Sequence, residues 1–160
     1  MLLISREQLG QLHRHALECY PEECCGLMLG FNRQDLAQVT ELWPADNSWS
    51  PDFLESDSNL NLKNRPDASR RNRFAIAPIE ILRAQKSARA KGIEILGIYH
   101  SHPDHPAIPS EYDREIAWAV YSYVIMSVTS KEVIKTRSWK LKGDRQFREE
   151  NICVREMDEH

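Results

Sequence analysis

One segment constrains the fold more than any other, because it joins an apolar stretch to a pair of histidines. Residues 93–99 are mostly apolar and β-branched, which predicts a buried strand. The chain then passes directly into His100-Ser101-His102, and prolines at 103, 106 and 109 make the following stretch a stiff loop. The predicted strand therefore carries two side chains that can bind a metal ion to its end.

A predicted helix start follows this loop. Ser110 is a suitable N-cap for a helix that we expect to run to about residue 120, and Asp113 lies on its first turn, on the same face. Two imidazoles and one carboxylate can meet there, a ligand set typical of catalytic zinc. We expect the backbone to bend between His100 and His102, on the assumption that an extended segment would turn the rings to opposite faces.

Hydrolysis at a zinc site needs two further groups. The metal brings the pKa of its bound water near neutrality, but a base must still take the proton and a donor must stabilise the developing oxyanion. Ser110 is placed to be that donor. The base must be a carboxylate from elsewhere in the chain, and Glu22 and Glu23, just before a predicted buried strand, are both candidates.

The remaining pattern predicts a single domain in which helices alternate with a mixed sheet. Ser5 and Gln8 form a capping box for a helix that ends near Cys19, before Pro21, and a second helix begins at Pro78 and ends before residue 92. Other predicted strands cover residues 26–31, 36–43, 121–129, 133–141 and 151–155, with residues 74–77 a short strand or extended segment. This alternation indicates a layered α/β fold over all 160 residues.

A long polar loop interrupts the pattern between residues 45 and 72. Loops usually have about 4–6 residues, and much longer ones are either functional or disordered. Trp49 lies in this loop and is a candidate contact for a partner. Four arginines, at positions 65, 70, 71 and 73, are expected to be solvated there.

Charge and composition exclude several classes of protein. The net charge of −3 and the pI of about 6.1 do not indicate a nucleic-acid partner, since such proteins carry a basic stripe. No apolar run approaches the ~20 residues that span a bilayer, and the N-terminus lacks a secretion signal. We therefore expect a cytoplasmic protein that binds neither nucleic acid nor membrane.

The cysteines and the other histidines have ordinary explanations. Two of the four cysteines are adjacent and no C-x-x-C occurs, so we expect buried, reduced thiols at positions 19, 24, 25 and 153. His13 and His15 are expected at the surface of the first helix. His105 is expected to be an exposed loop residue, because the serine and aspartate spacing selects the earlier pair of histidines.

These motifs together resemble one known family. The pattern H-x-H, seven residues, then S-x-x-D resembles the JAMM signature of the MPN-type (Mov34-type) metalloproteases, in particular their bacterial branch. Residues 21–27, PEECCGL, are similar to the family's P-x-E-x-C-G-L segment. Residues 74–89, 97–103 and 121–123 extend the likeness, which covers about residues 5–141.

This resemblance implies a fold and an activity. The fold would be related to that of cytidine deaminases, with a sheet flanked by helices. Family members hydrolyse amide or isopeptide bonds next to the C-terminal Gly-Gly of ubiquitin or ubiquitin-like proteins, and bacterial members often act on sulfur-carrier proteins. Matched by position, one Zn²⁺ per chain would be bound by His100, His102 and Asp113. Glu23 would be the general base, Ser110 the oxyanion donor and Ser101 a supporting residue.

Two other functions are known for folds of this kind. Some relatives with this fold have lost the metal and serve as scaffolds, so a non-catalytic module that binds a carrier protein stays open. A zinc deaminase is disfavoured, because the sequence has neither H-x-E nor P-C-x-x-C. The sequence does not identify the carrier, the residue released or the oligomeric state, for which a homodimer stays open.

Overall fold

Eight strands form one mixed sheet at the centre of the protein. A computed structural model describes residues 1–51 and 67–156. The strands are β1 (Leu2–Ser5), β2 (Cys25–Arg33), β3 (Leu36–Ala45), β4 (Glu94–Pro103), β5 (Ser122–Val128), β6 (Val133–Leu141), β7 (Phe147–Glu150) and β8 (Ile152–Arg155). Their order across the sheet is β7-β6-β5-β4-β2-β3-β1-β8. The pairs β4–β5, β1–β3 and β1–β8 are parallel and the other pairs antiparallel.

Helices cover both faces of this sheet. They are α1 (Arg6–Cys19), α2 (Pro78–Ala90) and the short α3 (Glu111–Ile116). Successive residues of a strand point to opposite faces, so β2 supplies both layers. Met28 packs in the cluster that includes two α1 residues, whereas Leu27 and Leu29 pack with residues of α2. Burial of each such apolar side chain contributes about 1.5–3 kcal/mol to the stability of the fold. This burial on both faces keeps β2 and its neighbour β4 in the centre of the sheet. The predicted α/β class, a mixed sheet flanked by helices, is confirmed.

Local signals in the sequence set most of the element boundaries. The Ser5 hydroxyl accepts a hydrogen bond from the backbone N–H of Gln8, and the Ser5 N–H donates in return to the Gln8 side chain, which is the predicted capping box. Pro78 occupies the first turn of α2. After α2, Gly92 adopts a φ of 70°, which a residue without a Cβ does at little cost. The two predicted hairpins, β2–β3 and β5–β6, are present.

The third helix is shorter than predicted. It ends at Ile116 rather than near residue 120. The guanidinium of Arg145, from the turn between β6 and β7, donates to the carbonyls of Arg114, Glu115 and Ala117. Carbonyls at a helix end need partners, and here a distant residue supplies them. The sequence of α3 alone could not show this contact.

Two other predictions about elements need correction. β7 was not predicted, because its sequence, FREE, is polar and lacks a period-two pattern. For residues 74–77 the sequence left open a short strand or an extended segment, and no strand forms there. β4 does not stop before the histidines but continues to Pro103. The predicted loop begins after Ala45, and its residues 52–66 lie outside the described part of the chain. Within that part, no helix has the length and apolar character needed to cross a membrane.

Candidate metal centre

The two histidines of the H-x-H motif lie in the regular part of β4. This strand pairs with β2 on one side, where His100 faces Cys25, and with β5 on the other, where His102 faces Ser127. The expected bend in the backbone was wrong. Residues two apart on a strand share a face, so an extended backbone already brings both rings to one side. Both histidines therefore lie on a segment that is paired with neighbouring strands on its two sides.

The third predicted ligand comes from the start of α3. Ser110 is the N-cap, and its hydroxyl accepts the N–H of Asp113 at 3.0 Å. In return, Oδ2 of Asp113 accepts the N–H of Ser110 at 2.9 Å. This capping box turns the aspartate back towards β4, where it is 5% exposed. A local helix-start signal thus fixes the direction of the carboxylate.

Three ligand atoms converge at this point. The Nε2 atoms of His100 and His102 are 3.1 Å apart, and Oδ2 of Asp113 lies 3.3 Å from the first and 3.1 Å from the second. Ligand atoms held about 2.0–2.1 Å from a tetrahedral zinc ion are about 3.3 Å from one another. The spacing and the donor types therefore fit zinc, with one tetrahedral position left for water or substrate.

The hydrogen bonds around the ligands support this use of the Nε2 atoms. Nδ1 of His102 lies 2.9 Å from the carbonyl oxygen of Pro106, which can only accept a hydrogen bond. The proton must then be on Nδ1, which leaves the Nε2 lone pair free for a metal. The ring of His100 stacks on Phe74 with centroids 4.4 Å apart. Both rings are thereby held in one orientation.

Glu23 is the fourth polar group at the site. It is 3% exposed, and its carboxylate lies within 4.8 Å of the ring nitrogens of both histidines. Glu22, the competing candidate from the sequence, is exposed. Glu23, His100 and His102 could hold a metal ion by themselves. Asp113 is the second carboxylate at this point, with Oδ2 at 3.3 Å and 3.1 Å from the two Nε2 atoms.

The electrostatic environment shifts the pKa values of these groups in different directions. Burial raises the pKa of Glu23 well above its usual value, the charge of Asp113 raises it further, and Arg73 partly opposes both. Burial also acts to raise the pKa of Asp113, but the two histidines lower it overall. Burial lowers the pKa of His100, whereas Asp113 outweighs burial and raises that of His102. The site therefore holds one carboxyl group that favours a proton beside one that favours the charged form.

Ser101, between the two histidines, has a structural contact. Its hydroxyl accepts the N–H of Cys24 at 2.8 Å, and its own N–H donates to the Cys24 carbonyl at 3.2 Å. The backbone of Glu23 is held in turn by the side-chain amide of Asn47, which donates to its carbonyl at 3.1 Å. These bonds fix the start of β2, and hence Glu23, relative to β4.

Several side chains lie elsewhere than the sequence predicted. His13 and His15 are half-buried rather than at the surface, and bond to Thr136 and to Tyr99. Trp49 is 3% exposed, so it does not offer its ring to a partner. Among the thiols, Cys24 and Cys25 are buried as predicted, but Cys19 is half-buried and Cys153 is exposed. His105 is exposed, as expected.

A pocket of about 230 Å³ opens onto the metal centre. We call it the reaction pocket; its lining includes Glu23, Arg71, Asn72, Arg73, His102 and Ser110. Sequence reasoning placed Arg73 in a solvated loop, but this residue is 7% exposed and lies beside Glu23. Arg73 directly precedes the apolar run that starts at Phe74, which is a weak sequence signal of burial. The polar residues before Arg73 obscured this signal.

The mixed sheet, its flanking helices and the H-x-H/S-x-x-D geometry define a domain of the JAB/MPN type. The chain belongs to the family of prokaryotic homologs of the JAB domain, whose model matches residues 5–142. The resemblance found in the motifs is thereby confirmed.

Named relatives and solved structures agree with this membership. The chain is 31% identical over 126 residues to a probable TtuB-protein conjugate cleaving protease of Thermus thermophilus, covering 78% of this chain and 69% of that protein. It is 30% identical over 135 residues to a desampylase of Haloferax volcanii, covering 84% and 79%. Protein DSY2949 of Desulfitobacterium hafniense superposes with a TM-score of 0.76 at 30% identity, covering 98% and 94%. AF2198 of Archaeoglobus fulgidus, a JAB1/MPN domain protein, superposes with a TM-score of 0.54 at 19% identity and covers 96% of this chain and 98% of that chain. At this identity the likeness shows the fold alone.

Proposed function

We propose that this protein is a zinc-dependent peptidase or isopeptidase. It hydrolyses the amide bond after the C-terminal Gly-Gly of a ubiquitin-like or sulfur-carrier protein, with Glu23 as general base. The observation that carries this proposal is the convergence of two Nε2 atoms and one Oδ2 within 3.3 Å, beside the buried carboxyl group of Glu23. Relatives named as a desampylase and a conjugate-cleaving protease support the substrate class.

The ligand residues define what the metal contributes. His100, His102 and Asp113 would hold one zinc ion, which when bound lowers the pKa of water and polarises a carbonyl group. The capping box holds Asp113 and the Pro106 carbonyl holds His102, so both ligands are oriented before any metal arrives. A preoriented ligand set loses little conformational entropy on binding.

Glu23 moves the proton in this mechanism. It would take a proton from the attacking water and pass it to the nitrogen of the leaving amine, since its carboxylate lies within 4.8 Å of the histidine nitrogens that would hold the metal. Burial and the charge of Asp113 raise its pKa, which brings its basicity closer to the neutral range where a general base is effective. The exposed Glu22 has neither this environment nor a position at the metal.

Ser110 stabilises the oxyanion of the tetrahedral intermediate. Its hydroxyl oxygen accepts the backbone N–H of Asp113, so the hydroxyl hydrogen is directed elsewhere and can donate. Ser110 also lines the reaction pocket, where the scissile carbonyl would lie. Removing one such donor typically lowers kcat by about 10²–10³.

The size of the reaction pocket suits a Gly-Gly segment. Its volume of about 230 Å³ is enough for two glycine residues. Two glycines bring only backbone to this point, so the scissile bond can approach His102 and Glu23 closely.

The metal content tests the first part of the proposal. We expect about one zinc per chain in protein purified without added metal, and marked loss in Asp113→Asn, measured by mass spectrometry of the metals. Iron in place of zinc would contradict the choice of metal, since two histidines and one carboxylate also suit ferrous iron. Wild-type protein that takes up no zinc at neutral pH, yet binds a carrier protein, would favour the scaffold function.

Cleavage of a carrier protein extended past Gly-Gly tests the mechanism. The Glu23→Gln variant should keep its zinc, but its kcat should fall by a factor of about 10²–10⁴, the usual contribution of a general base. The matched control is Glu22→Gln, which changes the adjacent exposed carboxylate and should retain activity. Equal losses in the two variants, or activity in Glu23→Gln near that of wild type, would contradict the assignment of the base.

A further inference from the structure

A buried guanidinium group lies on the wall of the reaction pocket. Arg73 is 7% exposed and lines this pocket together with Glu23 and Ser110. Its neighbour Arg71 lines the same pocket but is exposed. The proposed hydrolysis uses neither arginine, so the burial of one cation beside the reacting groups needs a separate explanation.

The side chain of Arg73 is held in place. Its guanidinium carbon lies 4.5 Å from the centroid of the Tyr112 ring, and Nη1 donates to the carbonyl of Asn72 at 2.9 Å. The side-chain amide of Asn47 donates to the Arg73 carbonyl at 2.9 Å, which fixes the backbone as well. The guanidinium group stacks on an aromatic ring and donates one hydrogen bond from Nη1. Because the group is planar, these two contacts fix the direction of its remaining N–H donors.

Much of the hydrogen-bonding capacity of this group is unused. Nε of Arg73 is buried and has no hydrogen-bond partner. Within residues 1–51 and 67–156, Arg73 also forms no ion pair with a carboxylate. Buried charges in proteins are normally paired, because desolvation of an unpaired ion is costly. A fixed, desolvated cation with free donors is suited to an anion that arrives with a ligand.

We propose that Arg73 binds a carboxylate of the substrate or product in the reaction pocket. This inference rests on the proposed function and makes it more specific. The guanidinium fork matches a carboxylate better than it matches a single carbonyl oxygen. Two carboxylates can reach this position: the α-carboxylate of a single residue that follows Gly-Gly, and the carboxylate that hydrolysis creates on Gly-Gly itself.

The two sources predict different substrate preferences. If Arg73 binds the α-carboxylate beyond the scissile bond, the enzyme prefers carriers extended by one amino acid over isopeptide conjugates, whose lysine has no free carboxylate beside the bond. If Arg73 binds the new Gly-Gly carboxylate, the product inhibits the enzyme and both kinds of substrate are cut. In each case Arg73 is a specificity residue, distinct from the proton-transfer role of Glu23.

The test compares peptides that differ only at the terminal group. The C-terminal segment of a ubiquitin-like carrier, extended by one alanine after Gly-Gly, is prepared with a free carboxylate and with a carboxamide. If the α-carboxylate is the source, the carboxamide should lower kcat/KM of the wild type about 10–100-fold, the range of charge-assisted hydrogen bonds. Arg73→Gln should lose this preference, and Arg73→Lys should retain part of it. Arg71→Gln, a matched change on the same pocket, should keep it.

A binding measurement separates failure of this inference from failure of the proposed function. Calorimetry records binding of the unextended peptide, ending in the Gly-Gly carboxylate or carboxamide, to metal-free wild type and to Arg73→Gln. If the product carboxylate is the source, only the wild type should prefer the carboxylate form. Peptides that bind with this preference but are never cleaved would support Arg73 while contradicting the peptidase. Equal kcat/KM and equal binding for both terminal groups in the wild type would overturn the inference, whatever the stability of the variants.

Discussion

At the scale of single residues, the surroundings rather than the residue type decide the chemistry. Glu22 and Glu23 are adjacent and chemically alike, and the residues alone left both as candidates for the base. In the fold, Glu22 is exposed while Glu23 is 3% exposed at the metal centre. The difference arises because Glu23 is the last residue but one before β2, whose register against β4 fixes its direction. The motif resemblance selected the same residue, because it already contains that tertiary information.

The thiols give a prediction at this scale. Burial raises the pKa of the Cys24 thiol to about 12 and also raises the pKa of Cys25, so at pH 8 neither forms the reactive thiolate to a useful extent. Cys153 is exposed. We expect Cys153 to react first with iodoacetamide in native protein, and Cys24 and Cys25 only after denaturation, as measured by peptide mass spectrometry.

The matched control for this labelling is Cys153→Ser, which should remove the fast reaction and leave the slow ones unchanged. Labelling of Cys24 or Cys25 in native protein at the rate of Cys153 would contradict the burial of the two adjacent thiols. Cys19, which is half-buried, should react at an intermediate rate.

At the scale of elements, each strand and helix does more than its own pattern indicates. The extended geometry of β4 is enough to bring two rings to one face, which the sequence interpretation missed. The N-cap of α3 both starts the helix and orients the carboxylate of Asp113, the proposed metal ligand. In α1, two histidines that were expected at the surface are half-buried against β4 and β6, through Tyr99 and Thr136.

These helix histidines predict a dependence of stability on pH. Burial lowers the pKa of His13 and of His15; for His15 the charges of Glu18 and Asp46 partly oppose it. The unfolded chain, with pKa values near 6.5, therefore binds protons more readily than the folded protein does. The stabilisation is complete above about pH 6.5 and is lost as pH falls towards the lower pKa values of the folded state.

Denaturant unfolding at pH 7.5 and pH 5.5 measures this effect. We expect the free energy of unfolding of the wild type to fall more between these pH values than that of the double variant His13→Gln, His15→Gln. Because the variant keeps His100 and His102, the difference isolates the helix histidines from the metal site. An identical fall in both proteins would show that protonation of α1 does not contribute.

At the scale of the whole molecule, the metal centre joins elements that are distant in sequence. His100 and His102 lie on β4, Asp113 on α3 and Glu23 before β2, and the first and last of these residues are 90 positions apart in the sequence. A ligand that binds only the folded state stabilises it by RT ln(1 + [L]/Kd). The proposed zinc ion should therefore stabilise the entire fold, not only the loop at residues 104–110.

Thermal unfolding checks this coupling. We expect the Tm to fall on removal of metal with a chelator and to recover on addition of zinc. Zinc at about 100 times its Kd would contribute about 2.7 kcal/mol. Asp113→Asn should lose most of the zinc-dependent shift, whereas Glu23→Gln should keep it, since Glu23 is assigned to proton transfer. A Tm that is insensitive to both chelator and zinc would contradict a metal bound at this centre.

The sequence by itself determined those features that depend on neighbours along the chain. The capping boxes at Ser5 and Ser110, the helix start at Pro78, the stop at Gly92 and the two hairpins follow from local hydrogen bonding and allowed φ values. The H-x-H/S-x-x-D spacing identified the family and a set of candidate ligands, because it places those residues on a strand and on a helix start.

Only the tertiary structure decided features that depend on contacts between distant segments. The end of α3 depends on Arg145, the burial of the helix histidines depends on the sheet below them, and the polar strand β7 exists because β6 offers it hydrogen bonds. Arg73 became a candidate for substrate binding only when the ring of Tyr112 and the wall of the reaction pocket were seen around it. Such contacts join residues tens of positions apart, and no local period or propensity records which of them will meet.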